Sequence, residues 1–306
     1  MAAVSGVAAS LQAVDMVVKG ECVSAFCATR PPGHHAGREL RAMNAVSNGF
    51  CLLNNAACAA LYAVTPRNEG GRGLKRVCII DFDVHHGNGT QDILCSTYDS
   101  RFFYVSLHAG GAHINGFETN GSDSEDQDFR RILGGSKQDG IYPGRCGDHS
   151  PHSGVLNIPL GPKVTAHAIG TALMTEVAPA VEAFSPDLII LSSGFDAHKH
   201  DPMGLGSLSA EDFGSVTDVA CQMAMKVCSG RVVSVLEGGY GVPCCQPSAE
   251  SFIPPKYLDL GKDVPEGMMD DVSDALKQKL EKCYSEGFLD CVKAHVTALS
   301  RSSRRQ

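Results

Sequence analysis

The residues most able to do chemistry follow a short apolar run, Val77–Ile80, which is typical of a buried parallel strand. The chain continues from Asp81 with the sequence DFDVH. Because side chains alternate along an extended strand, Asp81, Asp83 and His85 share one face of its end. Two carboxylates and an imidazole buried together are costly unless a cation pairs with them. The pattern therefore predicts a divalent metal site.

Three further strand ends carry polar residues that an ordinary strand-to-helix turn does not need. They read RPPGHH at Arg30–His35, GFD at Gly194–Asp196 and EGGY at Glu237–Tyr240. The carboxyl ends of parallel strands meet at one edge of a sheet, where open α/β folds bind their ligands. We therefore expect these segments to converge with Asp83 and His85.

Together these residue types could hydrolyse an amide. Asp83, His85 and Asp196 would form an open zinc site with three protein ligands and room for water and a substrate oxygen. The imidazoles of His34 and His35 could take a proton from water and return one to a leaving amine.

Three more residues complete this set. The Tyr240 hydroxyl, beside a glycine pair, is suited to hydrogen-bonding an oxyanion. Asp81 and Asn88 could orient the two histidines from behind. Taken singly, each of these motifs could also be an ordinary turn or a piece of core, so the prediction depends on their joint occurrence.

The elements that must position these residues alternate between apolar runs and helical patterns, which indicates an α/β fold with a doubly wound, mainly parallel sheet and helices on both faces. Strands are predicted at 24–28, 76–82, 102–107, 155–158, 188–192 and 231–236. Helices are predicted at 4–18, 53–63, 90–94, 165–183, 210–227 and 272–300. Ser209, three residues before Asp212, resembles a capping box. Long loops over 112–153 and 243–267 are expected at the carboxyl edge of the strands.

The bulk composition fits one folded domain. The 306 residues show no repeat or clear linker, so we expect a single domain over 1–306, with its core at about 20–242 and a C-terminal loop and helix over 243–306. The formal charge of −8 argues against direct nucleic-acid binding. No apolar run approaches the roughly 18–20 residues that span a bilayer, so no membrane partner is expected. The 13 cysteines lack paired spacing, which favours reduced, buried thiols.

Six motifs resemble, in family order, those of the zinc-dependent histone deacetylases. They are RPPGHHAG (30–37), GFCLLNN (49–55), IDFDVHHGNGTQDI (80–93), VSLH (105–108), SSGFDAHKHDPMG (192–204) and LEGGYG (236–241). Asn88 resembles the class II branch, because class I members carry Asp there. The resemblance implies the arginase/deacetylase fold and zinc-dependent hydrolysis of N6-acetyl-lysine in histones or other proteins. Relative to this family, the chain is expected to lack the N-terminal part.

The resemblance also implies a role for each matching residue. Asp83, His85 and Asp196 would bind one zinc ion per chain. His35 would be the general base and acid with His34 as its electrostatic partner, and the Tyr240 hydroxyl would stabilise the transition state.

A tunnel and a second metal are implied as well. The acetyl-lysine tunnel would be formed by Gly49, Phe50, Tyr142, Met203 and Gly238. A potassium ion would be held by Asp81, Ser106 and Leu107, together with the main chain of Asp83 and His85. The implied partners are an acetylated lysine side chain and corepressor proteins, in the nucleus, the cytoplasm or both.

Three other functions stay open at this point. An acetylpolyamine amidohydrolase would share the fold, although specialised polyamine enzymes can carry Glu where Met203 stands. An arginase-like two-metal hydrolase fits Tyr240 and the pair Gly49-Phe50 poorly. A catalytically weak deacetylase-like scaffold is disfavoured by the complete set of ligands and histidines, and favoured by the expected lack of the N-terminal part.

Overall fold

The computed structural model of this protein describes residues 1–43, 45, 47–95, 99–110, 141–143, 154–201, 203–240 and 287–303. Apart from 141–143, the loop predicted over 112–153 lies outside the described residues, and so does the whole of the loop predicted over 243–267. The first part of the last predicted helix, 272–286, also lies outside them.

A six-stranded parallel sheet forms the centre of the fold. Its strands are β1 (Ser24–Cys27), β4 (Val77–Asp81), β5 (Phe102–His108), β6 (Val155–Pro159), β7 (Leu188–Ser193) and β8 (Val232–Leu236). A separate antiparallel pair consists of β2 (Ala36–Gly37) and β3 (Leu40–Arg41). The strand order in the sheet is β1-β8-β7-β4-β5-β6, and every neighbouring pair is parallel. The six strands predicted from apolar runs are therefore confirmed, whereas the β2–β3 pair was not predicted.

Most of the helices also begin and end close to their predicted positions, but the last one, predicted from 272, begins at Phe288. They are α1 (Ala2–Val18), α2 (Asn55–Val64), α3 (Asn88–Cys95), α4 (Ala166–Ala172), α5 (Ala178–Phe184), α6 (Ala210–Cys228) and α7 (Phe288–Ser303). A π-helical turn, Leu173–Val177, joins α4 to α5 within the stretch predicted as one helix. The capping box at the start of α6 is confirmed, because Ser209 and Asp212 each accept a main-chain N–H from the other.

Helices cover both faces of the sheet, as predicted. Along β4, Val77 and Ile79 pack with buried residues of α1 and α2. The alternate residues, Cys78 and Ile80, pack on the opposite face with buried residues of α4 to α7. This period-two partition explains why the strand reads as continuously apolar: both of its faces are buried. None of the helices in the described ranges is long and apolar enough to cross a membrane.

Main-chain hydrogen bonds join the loops that leave β4, β7 and β8. Phe82 N–H donates to the Ser192 carbonyl at 3.1 Å, and Phe195 N–H donates to the Gly238 carbonyl at 3.0 Å. The sheet pairing therefore continues past the strand ends, and it carries the segments after Asp81, Ser193 and Leu236 to one edge.

The C-terminal helix α7 is held by a buried chain of polar side chains, which we call the His295 network. The Thr217 hydroxyl donates to the Phe213 carbonyl, so its oxygen accepts from Nδ1 of His295 at 2.7 Å. The Ser234 hydroxyl then donates to Nε2 of His295 at 2.8 Å, and the Ser193 hydroxyl oxygen lies 2.8 Å from that of Ser234. This donor pattern assigns a neutral His295 with its proton on Nδ1.

Candidate active site

Three side chains from two different strand ends form the centre of the site, and we call them the metal-ligand cluster. One ligand atom from each of Asp83, His85 and Asp196 lies within 4.8 Å of the other two. Nδ1 of His85 is 3.1 Å from Asp83 Oδ1 and 3.0 Å from Asp196 Oδ2. All three residues are buried. The structure thus brings together the residues that the sequence predicted would converge.

Main-chain amides orient the two carboxylates. Gly238 N–H donates to Asp83 Oδ2 at 2.7 Å, and Val84 N–H donates to Asp196 Oδ1 at 3.0 Å. Glycine is required at this approach, because a Cβ on Gly194 or Gly238 would lie 2.1 or 2.5 Å from Asp83 Oδ2. Gly238 therefore contacts the ligands themselves.

The electrostatics of the cluster favour a cation. Burial raises the pKa of Asp196, and the negative charge of Asp83 raises it further. Burial opposes a charged His85, but hydrogen bonds to Asp196 and Asp83 outweigh it and raise the pKa of His85 to about 10. The two carboxylates thus hold a positive charge between them. Two carboxylate oxygens and one imidazole nitrogen are a donor set that fits zinc, with one coordination position left open.

Each histidine of the pair at the end of β1 has its own partner. His34 Nδ1 is 3.0 Å from Asp81 Oδ2, which also accepts the Tyr104 hydroxyl at 3.0 Å. His35 Nδ1 is 2.8 Å from Asn88 Oδ1. Since Asn88 donates its amide to the Ala42 carbonyl, its oxygen is the atom facing His35, and this assigns the proton of His35 to Nδ1.

The two histidines differ in charge although their ring centroids are only 4.0 Å apart. Burial lowers the pKa of His35 well below its usual value, and the positive charges of His34 and His85 lower it further. Burial also acts on His34, but the carboxylates of Asp83 and Asp81 outweigh it and raise the pKa of His34 well above the usual value. The geometry therefore pairs a neutral His35, with Nε2 available as an acceptor, with a charged His34.

A buried carboxylate that was not assigned a role from the sequence joins two of the strand ends. Glu237 Oε2 accepts the N–H groups of Gly33 and His34 at 2.7 and 3.1 Å, and Oε1 accepts the Ser192 hydroxyl at 3.1 Å. The Arg30 guanidinium donates to the Glu237 carbonyl and lies 5.4 Å from the centre of the Tyr240 ring. The signal for Glu237 in the sequence is its position, an acidic residue directly after the apolar strand β8.

Aromatic side chains surround the approach to His35. The Tyr142 ring meets the His35 ring edge to face at 4.7 Å, and its hydroxyl donates to the Ser47 carbonyl at 2.7 Å. Gly49 lies between these rings, since a Cβ there would come within 2.3 Å of His35 and 2.8 Å of Tyr142. Phe50 is 62% exposed, and its ring lies 5.7 Å from that of Tyr240. Four of the five predicted tunnel residues (Met203 is half-buried nearby on the Asp196 loop) thus border the histidines, the ligands or Tyr240.

The residues predicted for potassium lie on two neighbouring strands. Asp81 pairs with Ser106 in the parallel register of β4 and β5, and Leu107 follows. Ser106 has a protein partner, His108, whose Nδ1 is 2.8 Å from its hydroxyl. Potassium binding by Asp81, Ser106 and Leu107 stays a prediction.

Comparison with known proteins gives the class of this fold and site. A model of the histone deacetylase domain matches residues 1–254. Type-2 histone deacetylase 2 of Dictyostelium discoideum is 40% identical over 230 residues, which is 75% of this chain and 12% of that protein. Histone deacetylase 14, chloroplastic, of Arabidopsis thaliana is 34% identical over 254 residues, covering 81% of this chain and 49% of that protein.

Two solved structures have the same fold. The crystal structure of the HDA15 HD domain superposes with a TM-score of 0.58 at 26% identity, over 98% of this chain and 67% of that one. An acetylpolyamine aminohydrolase from Burkholderia pseudomallei superposes with a TM-score of 0.51 at 27% identity, over 77% of this chain and 56% of that one. The arginase/deacetylase fold is therefore confirmed. The chain belongs to the histone deacetylase family.

Proposed function

We propose that this protein hydrolyses N6-acetyl-lysine in histones or other proteins with one zinc ion as cofactor. The observation that carries the proposal is a neutral histidine beside the metal-ligand cluster: the ring centroids of His35 and His85 are 6.0 Å apart. A general base next to an open metal position is what metal-assisted amide hydrolysis needs. We further propose that residues 1–306 act as one deacetylase-like domain.

The protein side chains divide the work of the reaction. Asp83, His85 and Asp196 would hold the zinc ion, which when bound supplies Lewis-acid activation of water and of the acetyl carbonyl. His35 accepts the proton of the attacking water at Nε2 and later donates it to the lysine amine as it leaves. The charged His34, held by Asp81, keeps His35 neutral until it receives that proton.

Tyr240 and the aromatic approach would act on the substrate itself. The Tyr240 hydroxyl donates a hydrogen bond to the oxygen of the acetyl group as negative charge develops on it. Gly49, Phe50, Tyr142 and Met203 would contact the four-carbon stem of the lysine. Exposed aromatic surface such as that of Phe50 matches such an apolar chain.

Potassium, corepressor proteins, and action in chromatin and transcription remain proposals that rest on the family resemblance. So does the compartment, nucleus or cytoplasm, and two plant relatives carry the word chloroplastic in their names.

A second candidate function is hydrolysis of acetylpolyamines. The observation that favours it is the structural match to the Burkholderia pseudomallei enzyme, which is as similar in sequence, at 27% identity, as the HDA15 domain is at 26%. Both substrates present an N-acetylated amine at the end of an aliphatic chain, so the buried residues of the site serve either one.

The deciding experiment compares an acetyl-lysine peptide with N-acetylspermidine as substrates of the purified, zinc-loaded protein. We expect turnover of the peptide, loss of activity after chelation, and recovery with one equivalent of zinc. Faster turnover of the polyamine would favour the second candidate. A folded, zinc-loaded protein that turns over neither substrate would favour a scaffold.

The role of Tyr240 has a test of its own. Tyr240→Phe removes only the hydroxyl, so we expect intact zinc binding and a kcat lower by about 10²–10³-fold, the usual effect of losing one oxyanion donor. Near-normal turnover by this variant would refute the assignment of Tyr240. The matched control is Tyr62→Phe, which also removes one tyrosine hydroxyl, at the contact of α2 with Asp15 of α1.

A further inference from the structure

Asp201 is a buried carboxylate that has no part in the mechanism above. It is 3% exposed and lies in the loop after β7, which also carries the proposed metal ligand Asp196. Its Oδ2 accepts the main-chain N–H of Tyr240 at 2.9 Å, and its Oδ1 accepts the main-chain N–H of Met203 at 2.9 Å. One carboxylate therefore binds two residues that belong to different strand ends.

The carboxylate is itself held in place by the turn around it. Asp201 N–H donates to the His198 carbonyl at 2.9 Å, and the Asp201 carbonyl accepts Gly204 N–H at 3.0 Å. Burial and the nearby charge of Asp196 raise the pKa of Asp201 to about 8, and the hydrogen bonds from the main-chain amides of Met203 and Tyr240 oppose that shift. Both of its oxygens accept a main-chain amide, and no free rotation remains for the side chain.

Other main-chain hydrogen bonds in the described part of this segment hold the residues before Tyr240, and one of them is Gly238 N–H, which donates to Asp83 Oδ2 at 2.7 Å. Beyond β8, the Gly238 carbonyl accepts Phe195 N–H, and Gly239 has a φ of 124°, a left-handed conformation that favours glycine. Gly239 also packs closely on α7, since a Cβ there would lie 2.7 Å from the Phe288 ring. The hydrogen bond from Tyr240 N–H to Asp201 fixes the main chain of the next residue, Tyr240, from which its side chain extends.

We propose that Asp201 is a positioning residue for the reaction: it holds the main chain of Tyr240 and of Met203 at a set separation, so that the Tyr240 hydroxyl meets the acetyl oxygen. This inference rests on the proposed function. An oxyanion donor acts only at roughly 2.7–3.1 Å from its target. A displacement of 1 Å can cost about 10²-fold in rate.

The test is a double-mutant cycle of Asp201→Ala and Tyr240→Phe, with kcat and KM measured for an acetyl-lysine peptide. Asp201→Ala alone should lower kcat by roughly 10–100-fold, the cost of a misplaced catalytic group. In the Tyr240→Phe background the same change should lower kcat by less than about twofold, because interacting residues are not additive. An increase in KM, caused by the released Met203, should persist in both backgrounds.

Two further variants supply a conservative substitution of Asp201 and a control. Asp201→Asn conserves the size of the side chain but offers one oxygen acceptor instead of two, so its kcat should fall between those of the wild type and Asp201→Ala. If the alanine variant does not fold, the asparagine variant enters the cycle in its place. The matched control is Asp187→Ala, because Asp187 also accepts two main-chain N–H groups, of Lys75 and Arg76, at the opposite end of the sheet. Its kcat should equal that of the wild type.

The outcomes distinguish a failure of the proposed function from a failure of the positioning role of Asp201. Full activity of Tyr240→Phe would overturn the role of Tyr240 in the proposed function. If Tyr240→Phe is impaired as expected, wild-type kcat in the folded Asp201 variants would overturn the positioning role. Losses that multiply in the double variant would also overturn it, because they would mean that Asp201 acts independently of Tyr240. Zinc content, measured in every variant, excludes an effect through Asp196.

Discussion

The metal-ligand cluster and the His295 network are two buried polar regions on the same sheet, and each is centred on a histidine. In the cluster, His85 lies between two carboxylates, which raise its pKa to about 10. In the network, His295 lies between two hydroxyl groups, and burial lowers its pKa to about 3. Burial acts in the same direction on both histidines, so the neighbours alone decide which one carries a charge.

The difference separates a region built to bind from a region built to fold. Neutral hydroxyl groups complete the hydrogen bonds of His295 within the protein. Asp83 and Asp196 instead repel each other, so this region requires a positive charge, either from a protonated His85 or from a bound metal ion. We therefore expect substitutions in the cluster to abolish activity without unfolding the protein, and substitutions in the network to unfold it without touching the chemistry.

The largest expected effect comes from Asp196→Asn. Loss of one carboxylate should weaken zinc binding and lower kcat/KM by about 10³-fold or more, in the range of losing an essential catalytic group. The metal-free variant should be at least as stable as metal-free wild type, because the repulsion between Asp83 and Asp196 is relieved. Zinc content, turnover and urea unfolding measure these effects.

The control for this variant is Asp218→Asn, which removes a surface carboxylate paired with Arg301 and should leave zinc binding unchanged. Marked destabilisation of metal-free Asp196→Asn would contradict the comparison, since it would mean that the cluster is self-sufficient.

The second effect in size is that of His295→Leu. The change removes the imidazole that joins the hydroxyls of Thr217 and Ser234, which keep only their bonds to the Phe213 carbonyl and to Ser193, so the free energy of unfolding should fall by about 2–4 kcal/mol. Urea denaturation measures it, and His167→Leu, at an exposed histidine of α4, is the control. Unchanged stability would show that α7 does not depend on the network. Zinc binding by the folded variant should be normal.

The pH dependence of stability gives the third prediction. The unfolded chain protonates His295 below its usual pKa of about 6.5, whereas the folded chain keeps it neutral down to about pH 3. The stability due to this residue is therefore complete above pH 6.5 and is lost as the pH falls towards 3, by at most about 1.4 kcal/mol per pH unit.

Between pH 7 and pH 5 the wild type should thus lose about 2 kcal/mol more than His295→Gln. Urea unfolding of metal-free protein at the two pH values measures the difference while keeping zinc release out of the result. Parallel losses in both proteins would mean that His295 is not neutral in the fold.

The smallest expected effect is that of Glu237→Gln. The amide keeps an oxygen acceptor for Gly33 and His34 or for Ser192, but not for both sides. A lost hydrogen bond of about 1.4 kcal/mol corresponds to a kcat about 10-fold lower, through a less well-placed His34–His35 pair. Steady-state kinetics measures it. An unchanged kcat would place Glu237 with the folding region instead of the binding region.

The strand positions were predictable because buried parallel strands leave a strong local signal. The run from Val77 to Ile80 is apolar on both faces, and the polar residues after it mark the strand end. The β2–β3 pair gave no such signal, since strands of two residues, such as Ala36–Gly37, are too short for a period. The π-helical turn at Leu173–Val177 likewise has a composition that an α-helix shares.

The roles of single polar residues were less predictable. Asp81, Asn88 and the two histidines stood out through their motifs, but Glu237 and Asp201 gained their meaning only from partners far along the chain. Asp201 lies 39 residues from Tyr240, and Glu237 lies 204 residues from Gly33. Hydrogen bonds across such separations depend on strand order and register, which local patterns do not carry.

What the amino-acid sequence alone determined was the inventory: which elements form, and which acids, histidines and glycines stand at the strand ends. Alternation, apolar runs and capping residues are local physics, and they act within a few residues. The tertiary structure decided the pairing, in which His34 is charged beside Asp81 and His35 is neutral beside Asn88. That decision is tertiary because a buried charge depends on every neighbour within a few ångströms, and packing brings those neighbours from all parts of the chain.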